Sequence, residues 1–341
     1  MVIKRVLVAG GAGFIGTNFV RWTRQHFPHV YITVLDSFTY AGQGKNFYED
    51  GWIDAADNSA ACEVVRGDVC DTAIVDTLVS QADVIINFAA ESHNDVSLHA
   101  PRTVVETNTL GVCVLLEAVR AHNKRLVQVS TDEVFGDLSF TQPAFTAESP
   151  YRPSSPYSAS KASADLLLGA WVRSFGLDGV ISVSTNNYGP FQHPEKFIPR
   201  QITELLSGRP ARLYGSGRHV RDWIHVDDHC AALWKILMYG KPGQRYLVGA
   251  HNEISNYDVV QGLLTIFGLP KDSYIHVADR AGHDIRYALD SSRTRDELGW
   301  QPQHLDFMSE LETVVGWYDA HRSWWAKAKE SSEKLYQKTG Q

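Results

Sequence analysis

The chain has 341 residues, of which 44% are hydrophobic and 21% charged, enough for one large domain or two closely joined ones with a substantial core. Its formal net charge is -7 and the acidic residues are spread along the chain, which excludes a basic nucleic-acid-binding surface. No signal-peptide pattern or membrane-length apolar run is visible, and the four cysteines form neither a CxxC pair nor a metal-binding spacing with histidine. We therefore expect a soluble cytoplasmic protein with no metal, no nucleic-acid partner and no membrane association.

Short apolar segments alternate with helix-length segments through the first half of the chain. The predicted strands are "RVLVAG", "YITVLD", "CEVVRGD", "DVIINFAA", "RLVQVS" and "GVISVS". The predicted helices between them include residues 14–27, 100–121 and 156–175. This alternation predicts an α/β fold with a Rossmann-type doubly wound parallel sheet.

The pattern loosens after about residue 185, where segments rich in Pro, Asn, Gly and Arg appear. We predict a doubly wound domain over residues 1–185, to which about 222–250 return, and a smaller α/β lobe over 186–341. The charged tail is expected to be helical at first and then frayed. Residues 41–61 form a long link to which we assign no role.

A glycine-rich turn follows the first predicted strand. "VAGGAGFIG" places Gly10, Gly13 and Gly16 where a strand meets a helix, so that a pyrophosphate can approach the helix N-terminus. Asp36 closes the next strand, 20 residues after Gly16, where a carboxylate accepts ribose hydroxyls and repels a 2′-phosphate. The alternative is a strand-helix turn that binds nothing, but the agreement of strand, helix and acid predicts NAD binding. Asp68, at the third strand's end, is a candidate for the adenine amino group.

Two further motifs carry chemical groups. Tyr157 and Lys161 in "SPYSASKASAD" are spaced i and i+4 on a predicted helix, so they share one face. A neighbouring ammonium and a positively charged nicotinamide favour the phenolate form of such a tyrosine. Asp132 and Glu133 sit side by side at a strand end in "VSTDEVFGD". The alternatives are a surface Tyr–Lys pair and a solvated strand end.

These motifs together resemble a known family. GxxGxxG with YxxxK is the signature of the extended short-chain dehydrogenase/reductase superfamily. "STDEVFGD", "SPYSASKASAD", "NNYGPFQHPEKFIP", "VRDWIHVDDH" and "GHDIRYALD" resemble, in order, the successive motifs of dTDP-glucose 4,6-dehydratases. The resemblance runs from about residue 6 to about residue 300.

The resemblance implies a hydro-lyase reaction with a tightly held NAD. In that family the sugar C4 hydroxyl is oxidised, water is eliminated across C5 and C6, and the hydride returns to C6. By position, Tyr157 matches the base for C4 oxidation, Asp132 the acid and Glu133 the base of the elimination, and Thr131 the partner of the C4 oxygen. Two close carboxyls tend to share one proton, as an acid and base pair needs.

The same resemblance implies the ligand-binding residues. Those expected to bind NAD are Gly10, Gly13, Phe14, Ile15, Gly16, Asp36, Asp68, Val69, Ala89, Ala90, Tyr157 and Lys161. Those expected to bind the nucleotide sugar are Ser92, Thr131, Asn187, Glu195, Lys196, Arg221, Asn256 and His283. Arg221 is the candidate for the diphosphate, because a guanidinium suits bidentate phosphate contact. A homodimer is implied as well, built through two helices of each subunit, here 100–121 and 156–175.

The chain departs from the family pattern at a few positions. Val96 stands where arginine is usual, Asn94 where an apolar residue is usual, and Ser37 where lysine is common. The Val96 change concerns substrate detail more than reaction type. We interpret His93 as a loop histidine that orients its neighbours.

Three other functions stay open on sequence grounds. A nucleotide-sugar 4-epimerase would share the oxidation step but leave the substrate mass unchanged, and superfamily epimerases usually lack the acid pair. A non-catalytic NAD-sensing protein is disfavoured by the presence of Tyr157 and Lys161. A plain alcohol dehydrogenase would consume NAD stoichiometrically.

Overall fold

A computed structural model of the protein describes residues 2–39, 42, 46, 62–92, 100–279 and 284–339. Its strands, in chain order, are β1 (Arg5–Ala9), β2 (Tyr31–Asp36), β3 (Cys62–Arg66), β4 (Val84–Asn87), β5 (Arg125–Thr131), β6 (Asp178–Ser184), β7 (Asn186–Tyr188), β8 (Ala211–Tyr214), β9 (Val220–His225), β10 (Arg245–Val248), β11 (Glu253–Ser255) and β12 (Tyr274–Val277). Its α-helices are α1 (Phe14–His26), α2 (Thr72–Gln81), α3 (Pro101–Val105), α4 (Gly111–Ala121), α5 (Pro156–Phe175), α6 (Phe197–Leu206), α7 (Val226–Tyr239), α8 (Asn256–Ile266), α9 (Ser292–Leu298), α10 (Phe307–Ala320) and α11 (Arg322–Thr339). None of these helices combines the length and apolarity needed to cross a membrane.

Strands β1 to β6 and the later strand β10 form one parallel seven-stranded sheet in the spatial order β10-β6-β5-β4-β1-β2-β3. Its central strands β1 and β4 are mostly apolar and buried because helices cover both faces. Helices α1 and α7 pack on one face, and α2, α4 and α5 on the other. The predicted doubly wound fold is confirmed.

The strand order reverses between β1 and β4. Ligands of such sheets bind outside the carboxyl ends of the strands at this reversal. The glycine turn follows β1, Asp36 ends β2, Ala89 follows β4 and Thr131 ends β5. The fold therefore brings these predicted site residues to one edge of the sheet.

The chain returns to the large sheet after it has begun the second lobe. Helix α7 packs against α1, and β10 pairs with β6 to become the outermost strand. The strand before α7, β9, pairs instead with β7 and β11 in a separate three-stranded sheet. The division of the chain at residue 185 stays a prediction.

The second lobe has an apolar core of its own. Helices α6, α8 and α10 surround aromatic side chains such as Tyr188, Trp223 and Trp324. The tail differs from the frayed end expected from its charge, because α11 continues to Thr339. Its Trp324, Lys329 and Tyr336 are buried, since they pack on residues far away in the chain.

The helix expected over 100–121 is interrupted. Between α3 and α4, residues Glu106–Leu110 form a π-helical turn. Asn108 in this turn is buried: its amide accepts from Glu91 N (2.8 Å) and donates to Glu91 O (3.1 Å) and Ser160 Oγ (2.9 Å). These bonds fix the segment after β4, and π-helical turns are frequent at functional sites.

Candidate active site

A cleft of about 560 Å³ lies over the carboxyl edge of the large sheet and extends to the second lobe. Every predicted site residue that the structure describes lines it. His283 lies outside the described residues, as do His93, Asn94 and Val96. Of residues 41–61, the structure describes only Gly42 and Asn46. The cleft thus brings the two predicted binding sets and the predicted catalytic set together.

The glycine turn has no room for a side chain at Gly10 or Gly16. Gly10 has φ of +74°, and a Cβ there would lie 2.4 Å from Ala89 N. A Cβ on Gly16 would lie 2.4 Å from Gly10 O. Gly13 caps α1 without a side-chain hydrogen bond, and the first turn of α1 has no acidic residue. This leaves backbone N–H groups and the positive helix end available to an anion such as a pyrophosphate.

Asp36 is held as an acceptor at the end of β2. Its Oδ2 accepts from Ala12 N (2.9 Å) and its Oδ1 from Phe38 N (2.8 Å). Burial raises the pKa of its carboxyl, and the two backbone hydrogen bonds oppose that rise. Asp68 lines the same end of the cleft, where it accepts from Cys70 N at 2.9 Å. The side-chain-free cradle and these acceptors fit a dinucleotide.

Tyr157 and Lys161 lie one turn apart on α5. The helix begins at Pro156 after Ser155, whose hydroxyl forms a capping box with Ser158. Lys161 is buried and donates from Nζ to Val129 O at 2.6 Å. Burial lowers the pKa of Lys161 to about 8, and burial, Glu133 and Asp132 raise the pKa of Tyr157 above its usual value.

The acid pair occupies the turn that ends β5. Asp132–Phe135 form a 3₁₀ turn, and Thr131 Oγ1 accepts from Glu133 N (3.4 Å) and donates to Asp132 Oδ1 (3.2 Å). Asp132 is only 1% exposed, and among the described residues its Oδ2 has no hydrogen-bond partner. Burial, followed by the charge of Glu133, raises the pKa of Asp132 well above its usual value. Asp132 is therefore a buried carboxyl beside Glu133, and the pair is not the solvated strand end considered above.

The substrate-binding candidates connect the two lobes. Lys196 Nζ donates to Ser92 O at 2.8 Å and lies 3.6 Å from Glu195 Oε1. Arg221 donates to Val220 O (2.8 Å) and Asp284 O (2.9 Å). These bonds fix its guanidinium at the wall of the cleft.

Asn187 has its orientation set by a buried histidine. His229 Nδ1 lies 2.8 Å from Asn187 Oδ1, and Asn187 Nδ2 donates to Thr185 O at 2.9 Å. Burial lowers the pKa of His229 to about 3, so the ring is neutral. Asn256, at the start of α8, is buried at the far end of the same cleft.

Several residues of the cleft wall were not predicted as site residues. Tyr287 stacks on the Arg221 guanidinium at 4.4 Å, and Tyr214 ends β8. Tyr336 of α11 donates to Glu195 O at 2.7 Å. Tyr287 lies in the quoted motif "GHDIRYALD" and could have been found there, whereas nothing in the charged tail marks Tyr336.

A group of His225, Asp227 and His304 places possible metal ligands within 4.8 Å of one another, away from the residues that line the cleft. The two rings stack with centroids 4.2 Å apart and planes 25° apart. His304 Nδ1 lies 3.1 Å from Asp228 Oδ1, which raises the pKa of His304. We assign no metal to this group.

Comparison with known proteins agrees with the site. The family model described as GDP-mannose 4,6 dehydratase matches residues 7–311. A dTDP-glucose 4,6-dehydratase of Mycolicibacterium smegmatis is 50% identical over 99% of this chain and 100% of its own length. The crystal structure of DesIV, a dTDP-glucose 4,6-dehydratase from Streptomyces venezuelae with NAD bound, superposes with a TM-score of 0.89. DesIV is 41% identical, over 95% of this chain and 99% of its own.

A structure of the Thermus thermophilus UDP-glucose 4-epimerase with NAD is also similar, but at 27% identity, with a TM-score of 0.82 over 93% of this chain and 99% of its own. Identity is thus higher to the dehydratases than to this epimerase. The resemblance stated from the sequence motifs is confirmed. The chain belongs to the 4,6-dehydratases that the family model describes, and within them to the dTDP-glucose 4,6-dehydratase family.

Proposed function

We propose that this protein converts dTDP-glucose to dTDP-4-keto-6-deoxyglucose, with an NAD molecule that is retained and recycled. The observation that carries this reaction is the buried Asp132 carboxyl beside Glu133, in the same cleft as Tyr157. The full-length identity to dTDP-glucose 4,6-dehydratases supports the nucleotide and the sugar.

Tyr157 and Lys161 serve the oxidation of C4. Bound NAD would supply reversible hydride transfer, from C4 in the first step and to C6 in the last. No NAD is therefore consumed. Tyr157 takes the proton of the C4 hydroxyl, while Thr131 holds the C4 oxygen. Lys161 is fixed to β5 by its bond to Val129 O, and a hydrogen bond with Thr131 opposes the effects that raise the pKa of Tyr157.

Glu133 and Asp132 divide the elimination between them. The C4 ketone acidifies the C5 proton, which Glu133 removes as a carboxylate. The electron pair of the C5–H bond becomes the C5–C6 double bond as the C6–O bond breaks. Asp132 gives its proton to the leaving hydroxyl, and water departs. When C6 regains the hydride, Glu133 returns its proton to C5, which completes the 4-keto-6-deoxy product. The raised pKa of Asp132 supports this role, because an acid must still hold its proton near neutral pH.

Arg221, Asn187, Glu195, Lys196 and Asn256 hold the nucleotide sugar. Arg221 faces the cleft with its orientation fixed by backbone carbonyls, which suits a diphosphate. Lys196 supplies a second cation beside Ser92. These assignments extend the family positions to the residues that line this cleft.

A 4-epimerase would need the oxidation groups but no acid and base pair at C5 and C6. Asp132 is buried with one oxygen that has no hydrogen-bond partner among the described residues, and such burial costs folding free energy that a catalytic role would explain. The pair therefore favours dehydration over epimerisation and over non-catalytic NAD binding.

The test is to incubate the folded protein with dTDP-glucose, without added NAD, and to follow the mass of the sugar nucleotide. We expect a product lighter by one water, and slower or no turnover of UDP-glucose as the matched nucleotide control. An unchanged mass with verified folding and verified NAD content would overturn the assignment.

We also propose a cytoplasmic homodimer in which α3–α4 and α5 of each subunit pack together. Apolar side chains on these helices are exposed in the single chain: Val105, Leu110, Leu166 and Phe175. Burying them between subunits would remove this apolar surface from water. All four cysteines are free thiols, which agrees with a reducing compartment.

A further inference from the structure

Helix α5 carries a third buried ionisable residue, to which the reaction above gives no role. Asp165 follows Tyr157 and Lys161 at intervals of four residues, so the three side chains lie along one side of the helix. Asp165 is 2% exposed and is not one of the residues that line the cleft.

The contacts of Asp165 connect it to the same strand as Lys161. Its Oδ2 accepts from Ser130 Oγ at 2.6 Å and from Tyr151 OH at 3.3 Å. Lys161 Nζ donates to the carbonyl of Val129, the residue before Ser130. The carboxylate and the ammonium are therefore bound to consecutive residues of β5, directly before Thr131 and the acid pair.

Only part of the hydrogen-bonding capacity of Asp165 is used. Within the described part of the chain, its buried Oδ1 has no hydrogen-bond partner. A buried carboxylate with an unused oxygen costs folding free energy, so the side chain needs a compensating role. The charge of Lys161 provides one, because each of the two buried groups stabilises the ionised form of the other.

We propose that Asp165 is a positioning residue for C4 oxidation: its carboxylate keeps the Lys161 ammonium charged and fixed to β5, and so sets the pH range in which Tyr157 works. The proposal rests on the proposed function, since it concerns the Tyr157 step of that reaction.

The direction of the effect follows from the charges around Asp165. Burial lowers the pKa of Lys161 to about 8, and the negative charge of Asp165 opposes that fall. The same charge contributes to the raised pKa of Tyr157. Burial raises the pKa of Asp165 itself to about 6, while Ser130, Lys161, Tyr151 and Arg245 oppose that rise. Asp132 and Glu133 also act on Tyr157, so positions 132 and 133 must be the same in the two proteins that are compared.

Asp165→Asn is the informative variant, because it removes the charge and keeps the shape. The pKa values of Lys161 and Tyr157 should both fall, so both limbs of the pH profile of C4 oxidation should move to lower pH by about 1 unit. Below about pH 6 the wild-type Asp165 is itself protonated, so the two profiles should converge there. Ser163→Ala, a change on the same helix whose hydroxyl donates to Ala159 O and not to Asp165, is the matched control and should leave the limbs in place.

C4 oxidation is read as reduced nicotinamide in a Glu133→Gln background, where elimination is blocked. If that background accumulates no reduced nicotinamide, the proposed function fails. If it does and Asp165→Asn lowers the rate equally at every pH, Asp165 is merely structural and this inference is overturned.

Should Asp165→Asn fail to fold, Ser130→Ala replaces it. This variant keeps the carboxylate but removes a hydrogen-bond donor, so the pKa of Asp165 should rise above about 6. The change in the rate of C4 oxidation that accompanies the ionisation of Asp165 should then occur at higher pH. A profile that does not move would overturn the inference in this form too.

Discussion

Glu133 and Tyr157 act on different bonds of the sugar, so their variants should stop the reaction at different points. Glu133→Gln leaves Tyr157 and Lys161 intact and should permit C4 oxidation while it lowers product formation by about 10²–10⁴-fold. Reduced nicotinamide should therefore accumulate, as followed by its near-ultraviolet absorbance. Product formed at the wild-type rate would show that Glu133 is not the base.

Tyr157→Phe should suppress the first step itself. The variant lacks the hydroxyl that takes the C4 proton, so neither reduced nicotinamide nor product should form at more than about one hundredth of the wild-type rate. Bound NAD, measured after denaturation, should stay near the wild-type amount, because Asp36 and the glycine turn are unchanged. Rapid formation of reduced nicotinamide by this variant would contradict the assignment.

Most of these side chains could be predicted because they lie in short motifs at strand ends and helix starts. The complete burial of Asp132, which raises the pKa of its carboxyl, could not be predicted, because adjacent acids in a sequence do not reveal it. Tyr336 could not be found at all, since its contact with Glu195 joins residues 141 positions apart.

The turn between β1 and α1 depends on backbone contact, and Gly16→Ala tests this. A Cβ would lie 2.4 Å from Gly10 O, so we expect a loss of about 1–3 kcal/mol in the free energy of unfolding and loss of retained NAD. Gly316→Ala in α10 is the control, because no described atom lies within 4 Å of its Cβ position. That change should stabilise the protein by about 0.5–1 kcal/mol. Equal NAD content in both variants would contradict the role of the turn.

Helix α11 should contribute to substrate binding through Tyr336. Its hydroxyl bonds Glu195 O, and the Arg200 guanidinium lies 3.6 Å from its ring centroid. Tyr336→Phe keeps the ring and removes a hydrogen bond worth about 0.5–1.5 kcal/mol, so KM for dTDP-glucose should rise roughly 2- to 10-fold with little change in kcat. A loss in kcat at constant KM would place Tyr336 in the chemical step instead.

Two features of the helices could not be predicted from the sequence, because long-range contacts determine them. The π-helical turn at Glu106–Leu110 has no Pro or Gly within it, and it is stabilised by bonds from Asn108 to Glu91 and Ser160. Lys329 looks like a solvated charge in the tail, but it is buried and pairs with Glu204 of α6 at 2.6 Å.

The subunit arrangement can be tested on α5. Leu166 is 60% exposed in the single chain, and Leu166→Glu would place a charge between the proposed subunits. Light scattering after gel filtration should then report monomers, or a dimer that dissociates at a higher protein concentration than the wild type. Leu305→Glu, at a site that is 65% exposed and outside these helices, should leave the dimer intact. The same mass for both variants would exclude α5 from the interface.

The whole reaction predicts that one hydrogen moves within a single sugar molecule. The measurement is to supply dTDP-glucose carrying deuterium at C4, without added NAD, and to locate the label in the product by mass spectrometry and NMR. We predict a product that has lost one water and carries the deuterium at C6, because the hydride taken from C4 returns there. A product with unchanged mass, or with the deuterium still at C4 or lost to solvent, would contradict dehydration by this route.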